Sequence, residues 1–198
     1  MRLLKIIIGA LCVWGAIDGW QMREIVRAPG PLAPDPPLQR AIQSGAAFTH
    51  ANHTLTPRAR FEATARVLSG ERYRMDTGAS LMPRDIAFGW GSMSDSTALA
   101  RVKISQSGRF AFWRTDERPS DSDIATINSS IANMHLIPAN DSVRNGILRA
   151  RVGQIVSFSG MLVDVRAPSG WSINTSLSRS DTGAGACEVV YVETFDPQ

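Results

Sequence analysis

The first twenty residues constrain what this chain can fold into more than any other stretch. Met1-Arg2-Leu3-Leu4-Lys5 brings two positive charges, a weakly polar to apolar run extends from Ile6 to Ile17, and Asp18 closes it. A basic start before about a dozen apolar residues is an export signal or a membrane anchor. Such a segment is subtracted from any water-soluble core. The positive-inside rule then puts the rest of the chain on the far side of a membrane. The stretch ends Gly15-Ala16-Ile17-Asp18-Gly19-Trp20, a poor match to the small-residue cleavage pattern. Leu3 to Trp20 reaches the roughly 17–25 residues of a span by including Lys5 and Asp18. A retained anchor is the expectation, ahead of a cleaved signal or a buried core helix.

Charge narrows the partners. The formal net charge is +3 over 198 residues, and part of it sits at the anchor. The remainder is close to neutral and carries no concentrated Lys/Arg face, so no nucleic-acid partner is expected. The cysteines are Cys12 and Cys187. If the anchor is kept, Cys12 lies in the membrane and Cys187 is a lone thiol in an oxidising compartment; the pattern of a disulfide scaffold is absent.

Organisation follows from proline and glycine. Five prolines lie between Arg27 and Pro37, which stiffens the chain and forbids a helix. The reading is an anchor over 1–22, a proline-rich linker over 23–40 that spaces the domain from the bilayer, and one soluble domain over 41–198. Leu38 to His53 reads as an opening strand or irregular structure. Thr56-Pro57 reads as a helix start, with Phe61, Ala65 and Leu68 at helical spacing up to Gly70. PRDIAF, from Pro83, reads as a second short helix. Ala100–Gln106 and Arg109–Arg114 read as a hairpin turning at Ser107-Gly108. Ser120 to His135 reads as the longest helix, with Ile124, Ile127, Ile131 and Met134 on one face. Asn140 or Asp141 caps another. The last third reads as short strands, Gln154–Phe158, Met161–Val165, Trp171–Ser176 and Cys187–Glu193, punctuated by glycine-bearing turns.

Candidate chemistry gathers near the end of the chain. In NTSLSRSDTGAGACE, Arg179 and Asp181 carry opposite charges, and Gly183 and Gly185 free the backbone to present amides to an anion. Glu188 shares a strand face with Val190 and Val192, so a buried carboxylate with a partner is expected, with Arg179 the nearest. Cys187 and His135 form a candidate thiolate–imidazolium pair, with Asn133, Asn140 or Asp181 to orient the ring. The bland reading of His135 is a ring bonded to a helix end. Trp90 lies between glycines and packs into the core or against a ligand; Trp113 and Trp171 are further candidate stacking platforms. His50 and His53 have no third ligand nearby, so no metal is expected, and no cofactor fingerprint occurs.

RVLSGERYRMD, PRDIAFGWGSMSD, ANMHLIPAN and GWSINTSLSRSDTGAGACEVVYVE together resemble a group of uncharacterised bacterial envelope proteins. The resemblance covers most of Arg66 to Glu193. It implies a membrane segment, a proline-bearing linker and one soluble domain, and implies no activity. Where that group carries Trp-x-x-Ser-Ser, this chain has Trp171-Ser172-Ile173-Asn174-Thr175-Ser176, which speaks against a serine nucleophile there.

The expected fold is α+β: a strongly curved antiparallel sheet, or a small barrel of the oligonucleotide/oligosaccharide-binding or SH3-like type, with two or three helices, preceded by one transmembrane helix. The first expectation for function is a non-catalytic accessory or binding protein of a membrane or envelope complex. It would contact lipid through residues 3–20 and a membrane or envelope protein through its domain. Its N-terminus would be cytoplasmic and its domain periplasmic, at a bacterial inner membrane. The alternative is a thiol-dependent envelope hydrolase using Cys187 and His135. A third reading is a glycan-binding module.

Overall fold

The computed structural model describes residues 19, 22–43, 45–178, 183 and 185–198. After β1 (Leu38–Ala41) and β2 (Phe48–His50), the chain enters a twenty-residue strand, β3 (His53–Arg72). This corrects the helix expected from Thr56. Phe61, Ala65 and Leu68 match a helical period, but Leu55, Pro57, Ala59, Phe61, Ala63, Ala65 and Val67 alternate without a break and are all buried. Between them Arg58, Arg60, Glu62 and Thr64 face solvent. A period of two held that long outweighs three matches to a period of 3.6. Pro57 is tolerated because the β3 pairing shifts register between Pro57 and Ala59.

β4 (Arg84–Gly89) is the second correction: PRDIAF is a strand, not a helix. All six residues are buried, so neither face shows in the hydropathy pattern. A 3-10 turn (Gly91–Ser94) and α1 (Ser96–Leu99) lead to the hairpin β5 (Val102–Ser107) and β6 (Phe110–Thr115), which forms as expected. α2 covers only Asp121–Ser129, opened by a reciprocal bond pair between Ser120 and Asp123. The expected helix through His135 is therefore cut, and Ile131–Pro138 is β7. α3 (Asp141–Arg149) is capped by the Asn140 side chain, which accepts from Val143 N at 3.0 Å. β8 (Ile155–Arg166) runs through Gly160 where two strands were expected, β9 shrinks to Ser172–Ile173, and β10 is Glu188–Pro197.

The pairings close a ring: β3–β4, β4–β7, β7–β10, β10–β8 and β8–β3. All are antiparallel except β7–β10. Gly160 belongs to this closure. A Cβ there would come within 1.9 Å of the Tyr191 carbonyl oxygen across the β8–β10 pair. The interior holds Phe61, Phe88, Phe158, Met134, Leu136 and Val190, and α3 seals it with Val143 and Ile147. Phe88 and Phe158 stack at 4.8 Å between centroids. Each fully buried side chain of this size contributes about 1.5–3 kcal/mol. Arg84 is also buried, and its Nη1 donates to the carbonyls of Ile147, Leu148 and Ala150 at the end of α3. Burial, and then Arg72, push its pKa down to about 10.

Two further apolar clusters lie outside the ring. One packs Leu55, Ile137, Val163 and Val189 with Trp171 and Ile173. The other packs Leu68, Ala87, Met93, Val102 and Ile127 beneath the β5–β6 hairpin and α2. The proline-rich stretch, expected to be a spacer, is hydrogen-bonded to the domain. Ile25 N donates to Val152 O at 2.8 Å, and a Cβ on Gly153 would strike the Ile25 carbonyl oxygen at 2.0 Å. Further along, the amides of Leu32 and Ala33 donate to Ser94 Oγ, and that of Gly30 to Asp95 Oδ1. Among the described residues no helix is long and apolar enough to cross a membrane. Residues 1–18, 20 and 21, which carry the expected anchor, lie outside them.

Candidate functional site

Strand pairing assembles a cluster on the outer face of β4, β7 and β10. Asp85 on β4 stands opposite His135 on β7, and His135 is in register with Val189 on β10. Cys187 precedes β10 by one residue. It is therefore diagonal to His135, within side-chain reach on the same face. Asp85, His135 and Cys187 are 50 or more residues apart in sequence and meet only because three strands lie side by side.

His135 Nδ1 lies 2.9 Å from Asp85 Oδ2. Both groups are buried, and neither atom completes an aligned hydrogen bond. The contact is a close pairing of imidazole and carboxylate rather than an aligned hydrogen bond. Asp85 Oδ1 accepts from Arg109 Nη1 at 3.0 Å. Arg109 also grips Asp76 through Nε and Nη2, both at 2.8 Å, and its guanidinium lies 4.0 Å from the Tyr73 ring centre.

The ring has two acidic neighbours, the Asp85 carboxylate and the Cys187 sulfur. Burial disfavours the imidazolium, but these neighbours outweigh it and raise the His135 pKa to about 9. Burial also raises the Asp85 pKa, against the opposing pull of His135 and Arg109. Both proton affinities rise, so Asp85 and His135 form a coupled buried pair.

The Cys187 thiol is half-buried and unbridged. Asn133 Nδ2 lies 3.6 Å from Sγ while donating to the Arg109 carbonyl oxygen at 2.9 Å, and Asn133 Oδ1 accepts from Gln106 Nε2 at 2.7 Å. The sulfur faces a cleft of about 280 Å3 whose walls include Trp90, Phe110, Phe112, Trp113 and Asn133. A thiol, an imidazole paired with a carboxylate, and a side-chain amide thus converge beside a cavity.

The sequence expectations divide against this geometry. Cys187 and His135 are brought together, and the carboxylate beside the ring is that of Asp85, which the sequence reading missed. Asn133, one of the proposed orienters, instead touches the sulfur; Asn140 is spent on capping α3. Glu188 is buried at the cleft with Val190 and Val192, as its strand face required. Arg179 and Asp181 lie outside the described residues. Trp90 belongs to the ring interior and also edges the cleft. Trp171 packs in the outer cluster with Ile137 and Val189 and does not line the cleft, and Trp113 donates to Asn128 Oδ1 at 2.9 Å. His50 and His53 bond to the Pro138 and Ala51 carbonyls. Among the described residues no group of three or more His, Cys, Asp or Glu could hold a metal ion. The signal for Asp85 was a lone carboxylate inside an apolar run, read there as a helix. Arg109 gave no local signal beyond its place at a hairpin turn.

No protein-family model, curated protein or solved structure matches the chain.

Proposed function

We propose that this protein is a thiol-dependent hydrolase of an acyl bond, with Cys187 as nucleophile, His135 as acid and base, Asp85 as the orienter of the ring and Asn133 as a donor to the developing oxyanion. The observation that carries it is the convergence of Asp85, His135 and the half-exposed Cys187 thiol on adjacent strands beside a cleft. The Cys187 proton rests on His135, which enters the reaction as the imidazolium. The sulfur adds to the carbonyl carbon, and the carbonyl oxygen gains charge near Asn133 Nδ2. The tetrahedral species collapses as His135 protonates the leaving alcohol or amine. Water, deprotonated by His135, then splits the acyl-thioester to the acid and restores the thiol.

The order of pairings supports the site's location. Counted along the chain, the ring strands β3, β4, β7, β8 and β10 pair in the order 1-2-3-5-4 and close back on the first, with α3 between the third and fourth. We read this as a barrel of the oligonucleotide/oligosaccharide-binding type. Such barrels bind ligands on the face of strands two and three, which here carries Asp85, Asn133 and His135. That analogy speaks for the place and not for the ligand. The domain is proposed to lie outside a bacterial inner membrane, held by residues 3–20. With Ile25 already hydrogen-bonded to the domain, it would sit close against the bilayer rather than on a stalk.

The test is acylation. Incubation of the purified full chain with an activated ester should give a mass increase on Cys187 and turnover of the ester. Cys187→Ser should abolish both. His135→Asn should retain the thiol, measured by titration after unfolding, and lose about 10²–10⁴-fold in turnover. A thiol that neither acylates nor alkylates in the folded protein returns the reading to a non-catalytic accessory protein.

A further inference from the structure

We infer that the acyl group taken by Cys187 carries a bulky apolar substituent, aromatic or alkyl, rather than a small one. The inference rests on the hydrolase reading and names its substrate class. β6 alternates its side chains. Ala111 and Trp113 pack inward on the cluster beneath the hairpin, while Phe110 and Phe112 remain 41% and 54% exposed. No core requires these two rings, yet both border the same cleft as the Cys187 sulfur. Adjacent exposed aromatics are a solubility cost that a binding surface explains.

The dimensions agree. A cavity of about 150 Å3 takes a benzene ring, so a cleft of about 280 Å3 holds a phenyl or branched alkyl group together with its carbonyl. With the carbonyl between Sγ and Asn133 Nδ2, the substituent on its far side falls against Trp90, Phe110 and Phe112. The leaving group points to solvent. Among the described residues bordering the cleft the charged one is Glu188, which is 2% exposed.

The experiment measures kcat/KM of the full chain for the 4-nitrophenyl esters of acetate, hexanoate and phenylacetate. Each buried methylene is worth about fourfold in such a pocket, so hexanoate and phenylacetate should exceed acetate by at least about tenfold. Phe112→Ala and Phe110→Ala lie at exposed positions and should fold. Each should compress the phenylacetate-to-acetate ratio several-fold. Equal values for the three esters, or a ratio unmoved in both variants, overturns the substrate assignment and leaves the hydrolase reading standing. No turnover of any ester, with no acyl adduct on Cys187, overturns both.

Discussion

Asp85 is the residue on which the site's protonation turns. Its carboxylate sits between the His135 ring and the Arg109 guanidinium, with no exposed surface. Removing its charge leaves burial unopposed at His135 except by the sulfur, so Asp85→Asn should bring the imidazole pKa well below about 9. The alkaline limb of the proposed ester hydrolysis, set by loss of the imidazolium that protonates the leaving group, should move down with it, and kcat should fall about 10²–10⁴-fold. An unshifted limb in the pH profile would show that Asp85 acts only as packing. Stability carries the same sign. The folded His135 pKa lies above the ordinary 6.5, so its contribution is full below about pH 6.5 and is lost as pH rises through about 9. Asp85 is raised too, so it also favours the protonated side of that balance. Denaturant midpoints of the parent should therefore decline across that window, and those of Asp85→Asn should decline less.

Among the elements, the pair β8–β10 belongs to the closed ring of strands, and Gly160 is a close approach within it. Glycine inside a strand reads as an interruption in sequence, and two strands were expected. The backbone continues because the missing side chain lets the Tyr191 carbonyl approach, and the register shifts nearby between Val192 and Thr194. Gly160→Ala should push β8 from β10 and cost about 1–3 kcal/mol in urea unfolding. Because β10 begins beside Cys187, the same variant should slow thiol alkylation in the folded state. Full stability in Gly160→Ala would mean that the pair has slack that the geometry does not show. At this scale the legible elements were the ones with local punctuation. The β5–β6 hairpin has its glycine turn, α2 its Ser120–Asp123 bond pair, and α3 its Asn140 cap. β4 and β7 were illegible because burial on both faces erases alternation. β3 was misread because a few large side chains suggested one period while alanines carried the other.

For the whole molecule, the proposed arrangement is a barrel drawn up to a membrane. Only a few residues separate Trp20 from the hydrogen bond of Ile25 to Val152. A chain rises at most about 3.3–3.6 Å per residue, so the docked domain has little room to leave the surface. A phosphatase reporter that folds only outside the cytoplasm, fused after Gln198, should be active in cells, and a cytoplasmic reporter in the same place should be silent. The opposite pattern would reverse the orientation and remove the envelope from the proposal. By itself, the sequence determined what depends on neighbours along the chain: caps, turns, the hairpin, the basic-then-apolar start, and the pairing of Cys187 with His135 as a chemical possibility. Tertiary structure alone decided which carboxylate joins them. Asp85 reaches His135 across a strand pairing, and pairing partners are set by ring closure, in which every strand must satisfy its backbone and bury its inner face at once.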